Sequence, residues 1–414
     1  MTILDIGKRL KIVYNNMFFH KKQFVVREDT PLVKHNGLFR RQLSLYEGVA
    51  LIVGATVGAG ILGIPYVVAK VGLWVGLAYI ISMGLVVMGS NLLIGEIVAR
   101  TREKYQLIGL VRKYLGKWPG LFMSFLIYVG TFGVLLVYII GCGESLSALF
   151  GGEPFMWSIG FFTLMTFVIW LGLRGARTVD FILSLGILAI VLIIAFMSHP
   201  HIVSQNFMYH NLAYLLLPYG VILAAFSGSS SIPEVHAVLK DRDQSFKKAI
   251  VLAGIINIVV YVLFAVVVVG VTGLETTQIA TIGLGEKLGS WAIVFGNVFA
   301  VLAMATSFIV LGLSLKDSFK WDYKLNNHLS TILVCGIPLI IFLFGLRQFI
   351  QALDIVGGVF RSLEMTMLVL VYWYAKQSGI LKESKFKMHH TLFLIAFILI
   401  AFTVGAIYSV VKLF

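Results

Sequence analysis

Residues Gly54-Ala55-Thr56-Val57-Gly58-Ala59-Gly60-Ile61-Leu62-Gly63-Ile64-Pro65 lie inside an apolar run from Tyr46 to Ala69. A run of that length crosses a bilayer at about 20 residues per helical span. In a helix interior glycine costs about 1 kcal/mol against alanine, and proline about 3. Four glycines and one proline within twelve residues therefore predict a helix broken inside the membrane. The peptide groups bared by such a break meet no water in hydrocarbon, and each costs several kcal/mol unless protein or a wet cavity satisfies it. A polar ligand or ion held at the break does so, which makes the break a candidate substrate site of a secondary transporter. The alternative reading is that these glycines only let two helices cross closely.

Only 13% of the 414 residues are charged and 59% are hydrophobic, against about 25% charged in soluble domains. The chain is thus a polytopic membrane protein. Apolar segments over 46–69, 73–98, 120–148, 155–172, 179–198, 212–239, 248–273, 289–315, 328–346, 348–375 and 389–411 predict eleven transmembrane helices. Residues 1–44 form a basic cytoplasmic N-terminal segment without a signal-peptide pattern, and 45–414 form the membrane domain. The net charge of +14 does not point to nucleic acid, because its placement follows the membrane sides. With the N-terminus inside, only Lys70, Lys287, Arg347 and Lys412 fall outside and Arg361 within a span, leaving 28 of 33 basic residues inside. The C-terminus is then extracytoplasmic, and the expected location is the cell membrane. Cys142 and Cys335 lie in apolar runs and read as small packing residues.

A second interruption, Ser227-Gly228-Ser229-Ser230-Ser231-Ile232-Pro233-Glu234, breaks the sixth apolar segment. Serine and glycine compete with or weaken the helical backbone, and Pro233 lacks a donor. Breaks in the first and sixth spans are what an inverted repeat of five plus five helices predicts. The repeats cover about 45–198 and 212–375, with an extra helix over 389–411.

Three signatures together carry a family resemblance. They are Gly54 to Pro65, Phe226-Ser-Gly-Ser-Ser-Ser-Ile-Pro-Glu234, and Ala305-Thr306-Ser307-Phe308 in the eighth span. With them the chain resembles the amino acid/auxin permease family and its bacterial aromatic amino acid permease relatives, within the amino acid–polyamine–organocation superfamily. The resemblance implies an all-α LeuT-type fold and an amino acid as cargo.

The physical chemistry of the breaks agrees with a zwitterion. Residues Gly58, Ala59 and Gly60 open the outer half of the first span, where free N–H groups and the helix dipole favour a carboxylate. The inner half ends near Ala55 and Thr56, whose carbonyls favour a cation. In the sixth span Phe226, Ser227 and Gly228 end the outer half and offer carbonyls to an ammonium, with Ser229 and Ser230 beside them. Tyr138 in the third span is a candidate substrate-facing hydroxyl, or an ordinary packed tyrosine. By resemblance to sodium-coupled members, Thr306 and Ser307 join the carbonyls of Gly54, Val57 and Ala303 around one sodium ion, a hard cation suited to oxygen ligands. Thr306 and Ser307 alternatively bond the preceding turn. Some proton-coupled relatives place a lysine of the fifth span there, and Val179 to Met197 contains none. Related aromatic permeases are proton-coupled, so the coupling ion stays open between Na+ and H+, and no other cofactor is implied.

Intramembrane acids are functional by default. Glu47 and Glu234, in the inner halves of the two broken spans, are gating or proton candidates, or else helix caps. Glu96 reads as an ion-pair partner of Arg100 or Arg102, and Arg361 with Glu364 as a pair one turn apart. The expected function is cation-coupled symport of a neutral, hydrophobic or aromatic L-amino acid by alternating access. The alternatives are an amino-acid-sensing receptor or transceptor and an uncoupled exchanger. An enzyme lacks a nucleophile–base or metal motif here, and an ATP-driven pump lacks Gly-x-x-x-x-Gly-Lys-Ser/Thr. Besides the bilayer and the substrate, no partner is indicated.

Overall fold

The computed structural model describes residues 44–101, 105–172, 186, 189–239, 242–322, 324–384, 386–388 and 391–412. The basic segment before Ser44, Arg102 and most of the fifth expected span lie outside the described residues. Regular structure among the described residues is helical. The first span is split into α1 (Leu45–Thr56) and α2 (Gly60–Val71), bent by 62°. Ser44 and Glu47 start α1 with a reciprocal capping box: the Ser44 N–H donates to Glu47 Oε2 at 2.7 Å, and Ser44 Oγ accepts from the Glu47 N–H. Val57, extended at φ −79° and ψ 98°, stops it.

Gly72, at φ +103°, turns the chain into α3 (Leu73–Arg100). Then come α4 (Leu107–Leu115), α5 (Lys117–Phe150), α6 (Pro154–Leu171) and α7 (Ala189–His201). The sixth expected span is α8 (Pro218–Ala225) and α9 (Ser231–Val238), each of eight residues. At 1.5 Å per residue neither half crosses a bilayer alone. The remainder is α10 (Arg242–Thr272), α11 (Ala280–Leu288), α12 (Ser290–Asp322) and α13 (Asn327–Leu343). Next, α14 (Phe349–Ile355) runs through a wide π turn at Val356–Arg361 into α15 (Ser362–Gln377), and α16 (Leu392–Val411) ends the described helices. Among the described residues seven helices are long and apolar enough to cross a membrane, and the bent pair makes an eighth.

Three local features differ from the sequence expectation. The sixth span starts at Pro218 rather than near 212, because Leu212–Tyr214 is a 3-10 turn capped by Asn211. Two short helices, α4 and α11, were not expected, being too brief for a spanning signal. Both end at glycines with positive φ, Gly116 and Gly289. The tenth span carries the π turn, where Gly357 lets its backbone reach α8: a Cβ there would sit 1.8 Å from the Gly220 carbonyl oxygen. Such wide turns recur at functional sites.

The broken spans pack half against half, α2 on α8 and α1 on α9, with α10 against both α1 and α2. On the periphery α6 and α16 expose Phe167, Phe393 and Ile400, as lipid-facing helices do. Cys142 and Cys335 are free and buried, as the sequence suggests.

Where α3 ends, residues 381–384 and 386–388 run as a strap across the bundle. Arg100 and Lys382 exchange two 3.0 Å bonds, Lys382 N–H to the Arg100 carbonyl and Arg100 Nε to the Lys382 carbonyl. Phe386, 1% exposed, lies edge-on to Phe246 at 5.7 Å and against Gly95. Phe386→Ala is expected to cost about 3 kcal/mol, in the range for emptied aromatic sites. Thermal unfolding of the purified protein in detergent would read this as a lower midpoint.

Candidate functional site

The two breaks meet. A Cβ on Gly60 would stand 2.7 Å from Ala225 Cα, and one on Gly228 would stand 2.1 Å from Thr56 Oγ1. Glycine is required at both places by close approach of the other span. Beyond the break, Ile61 N–H bonds the Gly58 carbonyl at 3.3 Å and Leu62 N–H bonds Ala59 at 3.0 Å. Among the described residues the N–H groups of Gly58, Ala59 and Gly60 donate to no protein acceptor. The same holds for Gly228, Ser229 and Ser230 at the start of α9. Two helix N-termini thus open at one junction, each with the positive end of its dipole. The sequence reading named only the first of these.

The two C-termini converge as well. Tyr261 of α10, fully buried, donates from its Oη toward the Ala225 carbonyl at 2.7 Å and the Thr56 carbonyl at 3.2 Å. Its ring stands edge-on to Phe226, with centroids 4.8 Å apart. Sequence reasoning missed Tyr261, because a tyrosine in a Val- and Ile-rich span looks like any packed aromatic. Its one distinguishing sign is a polar tip inside the apolar stretch Ile258–Val271 of α10.

The other expected residues fall around this junction in different ways. Ala55 and Ser230 are exposed at the two breaks, whereas Thr56, Val57, Ala59, Phe226, Gly228 and Ser229 are buried. Gly54, Gly58, Gly60 and Ser227 are half-buried. Thr56 Oγ1 bonds the Ile52 carbonyl at 2.8 Å and Ser227 Oγ the Leu223 carbonyl at 3.1 Å, so both hydroxyls cap their own helices. Ser229 Oγ instead reaches across to Asn91 Oδ1 of α3 at 2.7 Å. Tyr138 is buried, and its Oη lies 3.8 Å from where a Gly58 Cβ would be. Of the residues expected around the breaks, Tyr138 is thus the one that α5 brings to Gly58.

Of the residues expected around a cation, Ala303 lines a cavity wall. Gly58 and Ala59 share one cavity wall with Ala303 and Met304 of α12. The rest of that wall is almost wholly apolar, with Ile61, Phe264 and Phe299. Thr306 Oγ1 turns back to the Leu302 and Ala303 carbonyls, each at 3.1 Å, and Ser307 is half-buried. Glu47 serves the α1 capping box, and Glu234 sits half-buried in the first turn of α9.

Other intramembrane charges are mostly paired. Glu96 is fully buried and bonds Arg100 Nη1 at 2.6 Å, Tyr372 Oη at 2.8 Å and the Met388 N–H at 3.2 Å. Arg361 pairs with Glu364, and Asp354 with Lys412 at 2.6 Å. Glu96 and Asp354 tie separate segments of the chain together, whereas the Arg361–Glu364 pair is local to its own span.

A solved structure of MhsT in complex with L-phenylalanine superposes with a TM-score of 0.60 at 14% identity, over 90% of this chain and 99% of that one. The protein has the all-α LeuT-type fold. It matches the tryptophan/tyrosine permease family over residues 41–409 and belongs to it. Among its relatives, "Tyrosine-specific transport system 1" of Haemophilus influenzae is 25% identical, over 79% of this chain and 87% of that protein. "Glutamine transporter 2" of Aliivibrio fischeri is 23% identical over 76% and 85%. "Tryptophan-specific transport protein" of Shigella flexneri is 24% identical over 71% and 78%. Of the resemblance drawn from the motifs, the aromatic permease branch is the part these matches support.

Proposed function

We propose that the protein is a cation-coupled symporter of a neutral, hydrophobic or aromatic L-amino acid, working by alternating access across the cell membrane with its N-terminus inside. The observation that carries this reading is the junction itself: two bare helix N-termini beside two converging helix C-termini. An α-amino acid places its carboxylate on the N–H groups of Gly58, Ala59 and Gly60. Its ammonium takes carbonyl oxygen at the ends of α1 and α8, near Thr56 and Phe226. The apolar wall of Ile61, Phe264 and Phe299 suits an apolar neighbour better than a charged one. The names of the tyrosine and tryptophan relatives support an aromatic side chain, and the glutamine transporter supports a wider neutral range. Kinship with the amino acid/auxin permeases belongs to the same proposal. The coupling ion is Na+ at Ala303, Thr306 and Ser307 with Gly54 and Val57, or H+ through Glu47 or Glu234.

Uptake into proteoliposomes, with a panel of amino acids under separate sodium and proton gradients, tests this. Concentrative uptake of tyrosine, tryptophan or another neutral amino acid under one gradient is the expected result. Exchange without accumulation would leave an uncoupled exchanger, and binding without uptake a receptor.

A further inference from the structure

Helix C-termini carry about half a negative charge each, and α1 and α8 bring two of them to one point. Like ends placed together repel, and a positive group between them relieves the repulsion. The group found there is the Tyr261 hydroxyl, 2.7 Å from the Ala225 carbonyl and 3.2 Å from the Thr56 carbonyl. We propose that the Tyr261 hydroxyl stands in for a cation between the two broken spans and leaves the Thr56 carbonyl to receive the substrate's primary ammonium. This inference rests on the amino acid transporter reading above.

The hydrogen count makes the division of labour. A phenol has one O–H hydrogen. The 2.7 Å contact has the usual O–H···O length, and 3.2 Å lies beyond it. The hydrogen therefore belongs to Ala225, and the Thr56 oxygen keeps accepting capacity at the junction. A bare alkali ion would satisfy both carbonyls at once and leave less for an ammonium. The ring is fixed edge-on to Phe226 and is fully buried. Gly84 gives Phe226 and Ile258 room on the side of α3, since a Cβ there would meet Ile258 Cγ1 at 2.4 Å and Phe226 Cζ at 2.9 Å. Tyr261 is thus a positioning residue: it fixes where positive charge sits between the broken spans, and any coupling ion binds elsewhere.

Equilibrium binding of radiolabelled L-tyrosine to the purified full chain in detergent, titrated with sodium, tests this for wild type and Tyr261→Phe. Phenylalanine keeps the ring and removes only the hydroxyl. In sodium-free medium Tyr261→Phe is expected to bind about tenfold more weakly, the order for a buried carbonyl that loses its donor. Added sodium should restore the affinity, and the slope of log affinity against log sodium should rise by about one relative to wild type, one more ion taking the vacated place. An unchanged slope, whether or not affinity falls, overturns the inference. If Tyr261→Phe does not fold, Tyr261→His, which returns a ring N–H donor, is expected to keep the wild-type slope, and an added slope overturns the inference equally. Wild type that binds neither labelled L-tyrosine nor any other amino acid of the uptake panel defeats the transporter reading instead, so the two failures are distinguishable.

Discussion

Alanine at Gly60 is expected to abolish uptake. The new Cβ would press on Ala225 Cα at 2.7 Å, Cβ at 3.0 Å and N at 3.2 Å. Two of these three atoms are backbone, so no rotamer change relieves the contact. Overpacking of this kind costs about 1–3 kcal/mol or more, and here it is relieved by parting the two breaks, which also displaces the carbonyls that Tyr261 bridges. Proteoliposome uptake by Gly60→Ala should drop about 100-fold or more, since misplacement by about 1 Å at a reacting or binding site has that order of effect. Gly58→Ala is the control. Its Cβ meets only Tyr138 Oη, at 3.8 Å, so the fold is expected to stand and the unfolding midpoint to stay near wild type. Its effect should fall on substrate KM instead, because the methyl group enters the space beside the bare N–H groups. Equal loss of stability in both variants would contradict this placement of the site.

Glu96→Ala is expected to be the most destabilising single change on the strap side of the bundle. The carboxylate is fully buried and receives Arg100, Tyr372 and the Met388 N–H. Removing it leaves a buried guanidinium and two further donors without their acceptor. Loss of one partner from a buried pair costs about 3–5 kcal/mol. A thermal melt in detergent should show a clear fall, with a smaller one for Glu96→Gln, which keeps an acceptor oxygen. The double variant Glu96→Ala with Arg100→Ala should lose less than the sum of the singles, as coupled neighbours do. Strict additivity would mean that Glu96 and Arg100 do not act together.

Much of this organisation was legible in the sequence because its signals are backbone signals. Gly54 to Pro65 and Ser227 to Pro233 announce broken helices through propensity alone, and α1 indeed stops at Thr56 and α8 at Ala225. The Glu96–Arg100 and Arg361–Glu364 pairs were legible from helical spacing. What depends on contacts between distant segments was not. Tyr261 lies 205 residues from Thr56 in sequence, and nothing local marks its hydroxyl as the bridge. The strap that carries Lys382 and Phe386 was equally hidden, because its partners Gly95, Arg100 and Phe246 belong to other spans. The π turn at Val356–Arg361 leaves only a Gly357-Gly358 pair in sequence, which reads equally well as close packing. Gly228→Ala, which would crowd Thr56 Oγ1 at 2.1 Å, shows the same limit: the sequence marks the glycine, and the fold alone names what it must admit.

The most direct measurement is a structure of the full chain bound to the best substrate of the uptake panel. If bare peptide groups at the two breaks hold a zwitterion, the substrate carboxylate will lie within hydrogen-bonding distance of the Gly58, Ala59 and Gly60 N–H groups, with its ammonium on the Thr56 carbonyl. An amino acid bound away from both breaks, or breaks closed into continuous helices around it, would contradict that claim.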